Sequence, residues 1–191
     1  SENDRVDACA LLDERPEVAQ IRYAVSVRED APVDDRSRVA RHPLTIACSR
    51  GHLRLIMAMY RAYPEAIGYT DVQLGSPLHY ACFHSAPIDD LEFLVSKFPE
   101  ATRITNENHQ SPLHMACMRS SPNIDIIRLL LAEFPTAAQL ADADGLTPLY
   151  LVLQKQPSVE LLKVLIGSSP GVLRTATRCL QKALHVACVY G

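Results

Sequence analysis

The chain has 191 residues, of which 48% are hydrophobic and 21% charged, with a formal net charge of −3. That balance supports a sizeable buried core and excludes both a disordered acidic tail and a broadly basic nucleic-acid-binding protein. Apolar runs such as Leu55 to Tyr60 and Leu129 to Leu131 fall short of the roughly 18 residues a membrane span needs, and no basic-then-apolar leader is visible.

In chain order, residues 1–16 are expected to hold a second helix of a repeat unit. Ala8, Leu11 and Leu12 share one helical face, and Pro16 follows. Residues 17–41 form an insertion: 27 residues separate Pro16 from Pro43, against 13 at each later equivalent, which leaves 14 extra. Its β-branched stretch Ile21 to Val27, followed by polar Arg28 to Pro32, suggests a lengthened hairpin or surface flap.

Four units follow at 42–75, 76–110, 111–146 and 147–181, with a last first helix at 182–191. Their opening block begins as His42-Pro43-Leu44-Thr45 and returns as Ser76-Pro77-Leu78-His79, Ser111-Pro112-Leu113-His114, Thr147-Pro148-Leu149-Tyr150 and Lys182-Ala183-Leu184-His185, at intervals of 34, 35, 36 and 35 residues. Proline suits the first helical position, and the preceding Ser76, Ser111 or Thr147 is placed to cap. A second helical face recurs as Ile56, Met59, Tyr60, Tyr63, then Leu91, Leu94, Val95, Phe98, then Ile127, Leu130, Leu131, Phe134, then Leu162, Leu165, Ile166, Ser169. Pro64, Pro99, Pro135 and Pro170 end it. Each unit thus reads helix, turn, helix, loop, with turn chemistry such as Asp142-Ala143-Asp144-Gly145.

Pairs this short must stack to bury both faces. Four of the six cysteines, Cys48, Cys82, Cys117 and Cys188, follow an alanine at one repeat position, and small residues there permit close helix approach. Equivalent positions on stacked helices stand about 8–10 Å apart, beyond the roughly 7 Å Cα separation of a disulfide. Free thiols and an intracellular protein, cytoplasmic or nuclear, are therefore expected.

The opening block resembles the ankyrin repeat, whose pattern is an acidic residue, a glycine, then Thr-Pro-Leu-His and small residues. Asp142, Gly145, Thr147, Pro148 and Leu149 match it best, and His79, His114 and His185 stand at the family's histidine. Thr45 and Tyr150 replace that histidine, and Leu74 and His109 replace the loop glycine. The resemblance covers nearly the whole chain and implies an all-α fold, an ankyrin-type solenoid of stacked helix-turn-helix repeats with short hairpin loops. Both end units lack a partner helix, so the chain is expected to be a fragment of a longer array, monomeric as a fragment.

Chemistry is not expected, nor a cofactor or metal. No phosphate loop, His-Glu-x-x-His or Gly-x-Ser-x-Gly sequence occurs. The pair Asp142 and Asp144, which resembles a phosphatase loop, stands where the repeat needs its turn. His79 with Cys82 and His114 with Cys117 would make several metal sites of incomplete ligand count, so a histidine bonding to backbone is the favoured reading.

What the resemblance implies for function is a protein-interaction scaffold, binding a partner on a concave side made by first-helix ends and loop tips. The matching helix positions are Ser49 and Arg50, Phe83 and His84, Met118 and Arg119, Gln154 and Lys155, and the loop tips are Val72, Gln73, Glu107, Asn108, Ala143 and Asp144. Arg50, His84, Arg119 and Lys155 form a basic row suited to an acidic or phosphorylated segment, with Phe83 and Met118 gripping an apolar side chain. The plain alternative is a solvated basic face. A different function class is a targeting arm of a larger kinase, ubiquitin-ligase adaptor or channel. Nucleic-acid binding is the weaker reading, because four charges are few and stacking aromatics are scarce.

Overall fold

A computed structural model of the protein describes residues 14–15, 23–24, 40–71, 74–155 and 157–173. Most of the expected helix at 1–16 and of the 17–41 insertion, the tip pair Val72 and Gln73, and the expected helix at 182–191 with Cys188 lie outside the described residues. The chain divides into two compact units, Ser1–Phe98 and Pro99–Gly191. Among the described residues, each holds two helix pairs of an all-α repeat fold.

In the first unit the pairs are α1 (Pro43–Arg50) with α2 (Leu53–Ala62) and α3 (Pro77–His84) with α4 (Ile88–Lys97). In the second they are α5 (Pro112–Cys117) with α6 (Ile124–Glu133) and α7 (Pro148–Leu153) with α8 (Val159–Ser168). Each odd-numbered helix opens on its proline, as the fixed φ of that residue allows. The prolines after the even helices do more than stop them. Pro64, Pro99, Pro135 and Pro170 each begin a short 3-10 turn, and the first three turns bury small side chains such as Ala66, Ala101 and Ala137.

α1 packs on α3 and α2 on α4 in the first unit, and α5 on α7 and α6 on α8 in the second. The cores are aliphatic: Leu44, Ile56, Leu78 and Leu91 are sealed in one unit, Leu113, Ile127, Leu130 and Leu149 in the other. Burial of one such side chain is worth about 1.5–3 kcal/mol. The α1–α2 turn is tight. Gly51 caps α1 at φ 67°, and a Cβ there would stand 2.6 Å from Cδ of Pro87, so only glycine fits both the dihedral and the space.

Repeats are joined by turns with one repeated closure. The backbone N–H of Asp71, Asn106 and Asp142 donates to the carbonyl of Gly75, Gln110 and Leu146, four residues on. The insertion ends on a related pairing: Tyr23–Ala24 and Ala40–Arg41 form a two-residue antiparallel ladder in which Tyr23 faces Arg41 and Ala24 faces Ala40. Arg41 precedes Pro43 by two residues, as Gly75, Gln110 and Leu146 precede Pro77, Pro112 and Pro148.

Candidate functional site

The first-helix ends differ between the units. In the first, α1 and α3 run eight residues and carry Arg50 and His84 as their last helical residues, both exposed. Ser49, half-buried, turns its hydroxyl back to the carbonyl of Ile46 at 2.8 Å. Phe83 is half-buried, and its ring meets that of His84 edge-on at 5.2 Å. The His84 ring also lies parallel to that of buried Tyr80 at 6.4 Å, so the imidazole is in contact with two aromatic rings.

In the second unit α5 and α7 are only six residues long, so Met118, Arg119, Gln154 and Lys155 fall just past the helices instead of on them. Met118 and Gln154 are exposed, whereas Arg119 and Lys155 are half-buried. The Lys155 ammonium donates to the carbonyls of Cys117 at 3.2 Å and Arg119 at 3.0 Å. It therefore satisfies carbonyls that the end of α5 leaves without helical partners. Burial, with Arg119 nearby, moves Lys155 below the ordinary lysine range. Lys155 thus ties adjacent repeats together, and it also lines an open groove of about 220 Å³ with Ser120, Ser121, Pro122, Val152 and Leu161.

At the loop tips, Glu107, Asn108, Ala143 and Asp144 are exposed. The two tips of the second unit are linked, since Ala143 donates its N–H to the carbonyl of Asn108 at 2.9 Å. Asp142 is a turn residue, as its sequence place suggests. One oxygen accepts from the N–H of Asp144 at 3.0 Å and Leu146 at 2.8 Å, and the other from Nε2 of Gln110 at 3.4 Å. Asn106 and Asp71 do the same for their own turns. Sequence comparison had set Leu74 and His109 in the place of the loop glycine. His109 indeed takes the left-handed conformation, at φ 55°, but in the other turn Gly75 takes it at φ 105°, not Leu74. The closure is the same, but the positive φ falls one residue later in that turn.

His79 and His114 are structural. Nδ1 of His79 and of His114 accepts the backbone N–H of Ser76 and of Ser111, each at 3.1 Å, closing a capping box at the start of α3 and α5. An acceptor at Nδ1 places the proton of the neutral ring on Nε2, which in His114 meets the carbonyl of Leu146 at 3.2 Å. Burial lowers the His114 pKa, as a neutral ring in this role requires. Cys48, Cys82 and Cys117 are buried free cysteines. Burial, then the charge of Asp90, raises Cys48, and burial pushes Cys117 up to about 12, so neither supplies a thiolate nucleophile. Among the described residues no three His, Cys, Asp or Glu side chains are grouped to hold a metal ion, and no helix is long and apolar enough to cross a membrane.

Asp90 was missed by sequence reasoning. It sits in the first turn of α4, 1% exposed, with Oδ2 lacking a hydrogen-bond partner. The signal was available, because its counterparts in the other second helices are Leu55, Ile126 and Leu161.

A family model for ankyrin repeats, three copies long, matches residues 78–175. No curated protein matches the chain.

Proposed function

Because the chain belongs to the ankyrin repeat family, whose repeats are generally protein–protein interaction modules and typically not enzymes, we propose that it binds an anionic segment of a partner protein at the exposed ends of α1 and α3. The carrying observation is that Arg50 and His84 are both exposed at the ends of packed helices, with half-buried Phe83 against His84. A guanidinium offers a forked pair of donors to a carboxylate or phosphate, and the aromatic edge offers an apolar side chain a seat. Affinity then comes from a surface already held in place by the helix pairs. In the second unit, Met118, Arg119, Gln154 and the tips Glu107, Asn108, Ala143 and Asp144 present a more mixed surface, which supports contact with an uncharged or polar stretch.

The test is binding of fluorescent peptides rich in Glu or phosphoserine to the intact chain at two salt concentrations, beside Arg50→Glu and His84→Glu, after circular dichroism has verified each fold. Binding that weakens with salt and fails in both variants supports the reading. Equal binding by native protein and variants would remove this surface from consideration.

A further inference from the structure

The turns that follow α5 and α7 both contribute to the open groove of the second unit, and its lining brings four hydrogen-bond donors together. Lys155 commits two of its three ammonium N–H groups to the carbonyls of Cys117 and Arg119, which leaves one for a ligand. Ser158, the N-cap of α8, accepts the N–H of Leu161 on Oγ at 3.2 Å, so its own hydroxyl can still donate. Ser120 and Ser121, both exposed, add two more hydroxyls.

The charge around these donors has one sign. No carboxylate lines the groove. Asp125 and Glu160, the acids in the first turns of α6 and α8, stand outside the lining, and Glu160 is held by Arg128 at 2.7 Å. Arg119 lies close enough to Lys155 for its charge to act on the ammonium, so a second cation stands behind the first. The amino end of α8, a helix of ten residues, adds the partial positive charge of its first-turn amides.

We propose that this groove is a binding site for a phosphoserine or phosphothreonine side chain of a partner protein. It is separate from the surface at the ends of α1 and α3 and does not depend on it. A phosphomonoester brings three terminal oxygens and nearly two negative charges at neutral pH, whereas a carboxylate brings two oxygens and one charge. Four donors on one groove suit the former. The remainder of the lining favours a peptide over free phosphate. Pro122 and Pro157 adjoin the serines, and Val159, next to Ser158, is 68% exposed. Among the described residues Val159 and Met118 are the large hydrophobic side chains left exposed. A residue following the phosphorylated one therefore finds apolar contacts beside the donors.

The experiment is titration of the full chain, followed by amide chemical shifts in NMR, with a short peptide carrying phosphoserine followed by leucine, its unphosphorylated counterpart, and inorganic phosphate. Saturable shifts centred on Ser120, Ser121, Lys155 and Ser158 are expected with the phosphopeptide, more weakly with inorganic phosphate, and not with the unphosphorylated peptide. Lys155→Met should weaken phosphopeptide binding roughly tenfold or more, as loss of a charge-assisted hydrogen bond does. Ser120→Ala/Ser121→Ala, which alters only exposed side chains, should weaken it by a smaller factor and keeps the test open if Lys155→Met does not fold. Arg50→Glu should leave these shifts as they are. Equal shifts from both peptides would overturn the proposal. So would binding of inorganic phosphate without binding of the phosphopeptide, or phosphopeptide shifts confined to the ends of α1 and α3.

Discussion

Replacing Asp90 with leucine should stabilise the first unit at neutral pH. The two side chains share a branched shape with the same number of heavy atoms, and the neighbouring repeats already place Leu55, Ile126 and Leu161 at this position, so little overpacking is expected. The native carboxylate is almost fully buried with one oxygen unpartnered. An unsatisfied buried polar group costs about 1–3 kcal/mol. The variant forfeits the favourable placement of an acid in the first turn of α4, worth about 0.3–1 kcal/mol, and the attraction of His52. A net gain of about 1 kcal/mol, and at most about 2.5, follows. In a domain of this size each kcal/mol moves Tm by roughly 2–4 °C.

The pH dependence has a definite sign. Burial, then the neighbouring Asp89, raises the Asp90 pKa, against an opposing pull from His52. The folded state then holds its proton more tightly than the unfolded chain, so native stability falls as pH rises from the ordinary carboxylate range to the raised value. Leucine has no such loss. Urea and thermal unfolding at pH 4 and pH 8 should show a larger gain at pH 8, in the transition of the Ser1–Phe98 unit where the two units unfold separately. A Tm unchanged or lowered at pH 8, or a gain equal at both pH values, would refute the reasoning.

Gly51→Ala combines a left-handed dihedral with a 2.6 Å approach to Pro87 and should cost roughly 2–4 kcal/mol by urea unfolding, while Gly145→Ala, with open space around it, should cost only about 1–2. Lys155→Met removes a charged donor from the carbonyls of Cys117 and Arg119, and a loss of about 1.5–3 kcal/mol is expected in the second unit, read by the same method. Since burial lowers the His114 pKa, the unfolded state binds protons first on acidification. Stability should therefore decline as pH falls below the ordinary histidine range, and His114→Gln should flatten that limb in a series of urea titrations.

The ankyrin-type fold was legible in the sequence because its signal is repeated chemistry. Proline at the first helical position of the four units from 42 to 181, a capping serine or threonine three residues before the histidine or its substitute in three of them, and apolar residues at helical spacing recur along the chain, and each acts locally. The histidines could be assigned to the backbone for the same reason, since a cap involves residues three apart. The candidate surface was less legible. Arg50, His84, Arg119 and Lys155 stand at one place in the repeat, yet α5 and α7 end two residues sooner than α1 and α3, and Lys155 turns to the preceding repeat. Whether a long cation faces solvent or closes a neighbouring helix depends on where that neighbour's carbonyls point, which periodicity does not record.

Asp90 and Gly75 mark the same boundary. In the turn from Asp71 to Gly75 the positive φ falls one residue later than in the other two turns, and the hydroxyl of Tyr80 donates to Asp71. An acid at an aliphatic position is buried within reach of Cys48 and His52, which lie in the preceding repeat. Sequence alone thus determined the repeat, its helices and its caps, whose causes lie within a few residues of one another. Only the tertiary structure decided which charges are exposed and which acid is buried, because those depend on residues about one repeat, some 35 positions, away.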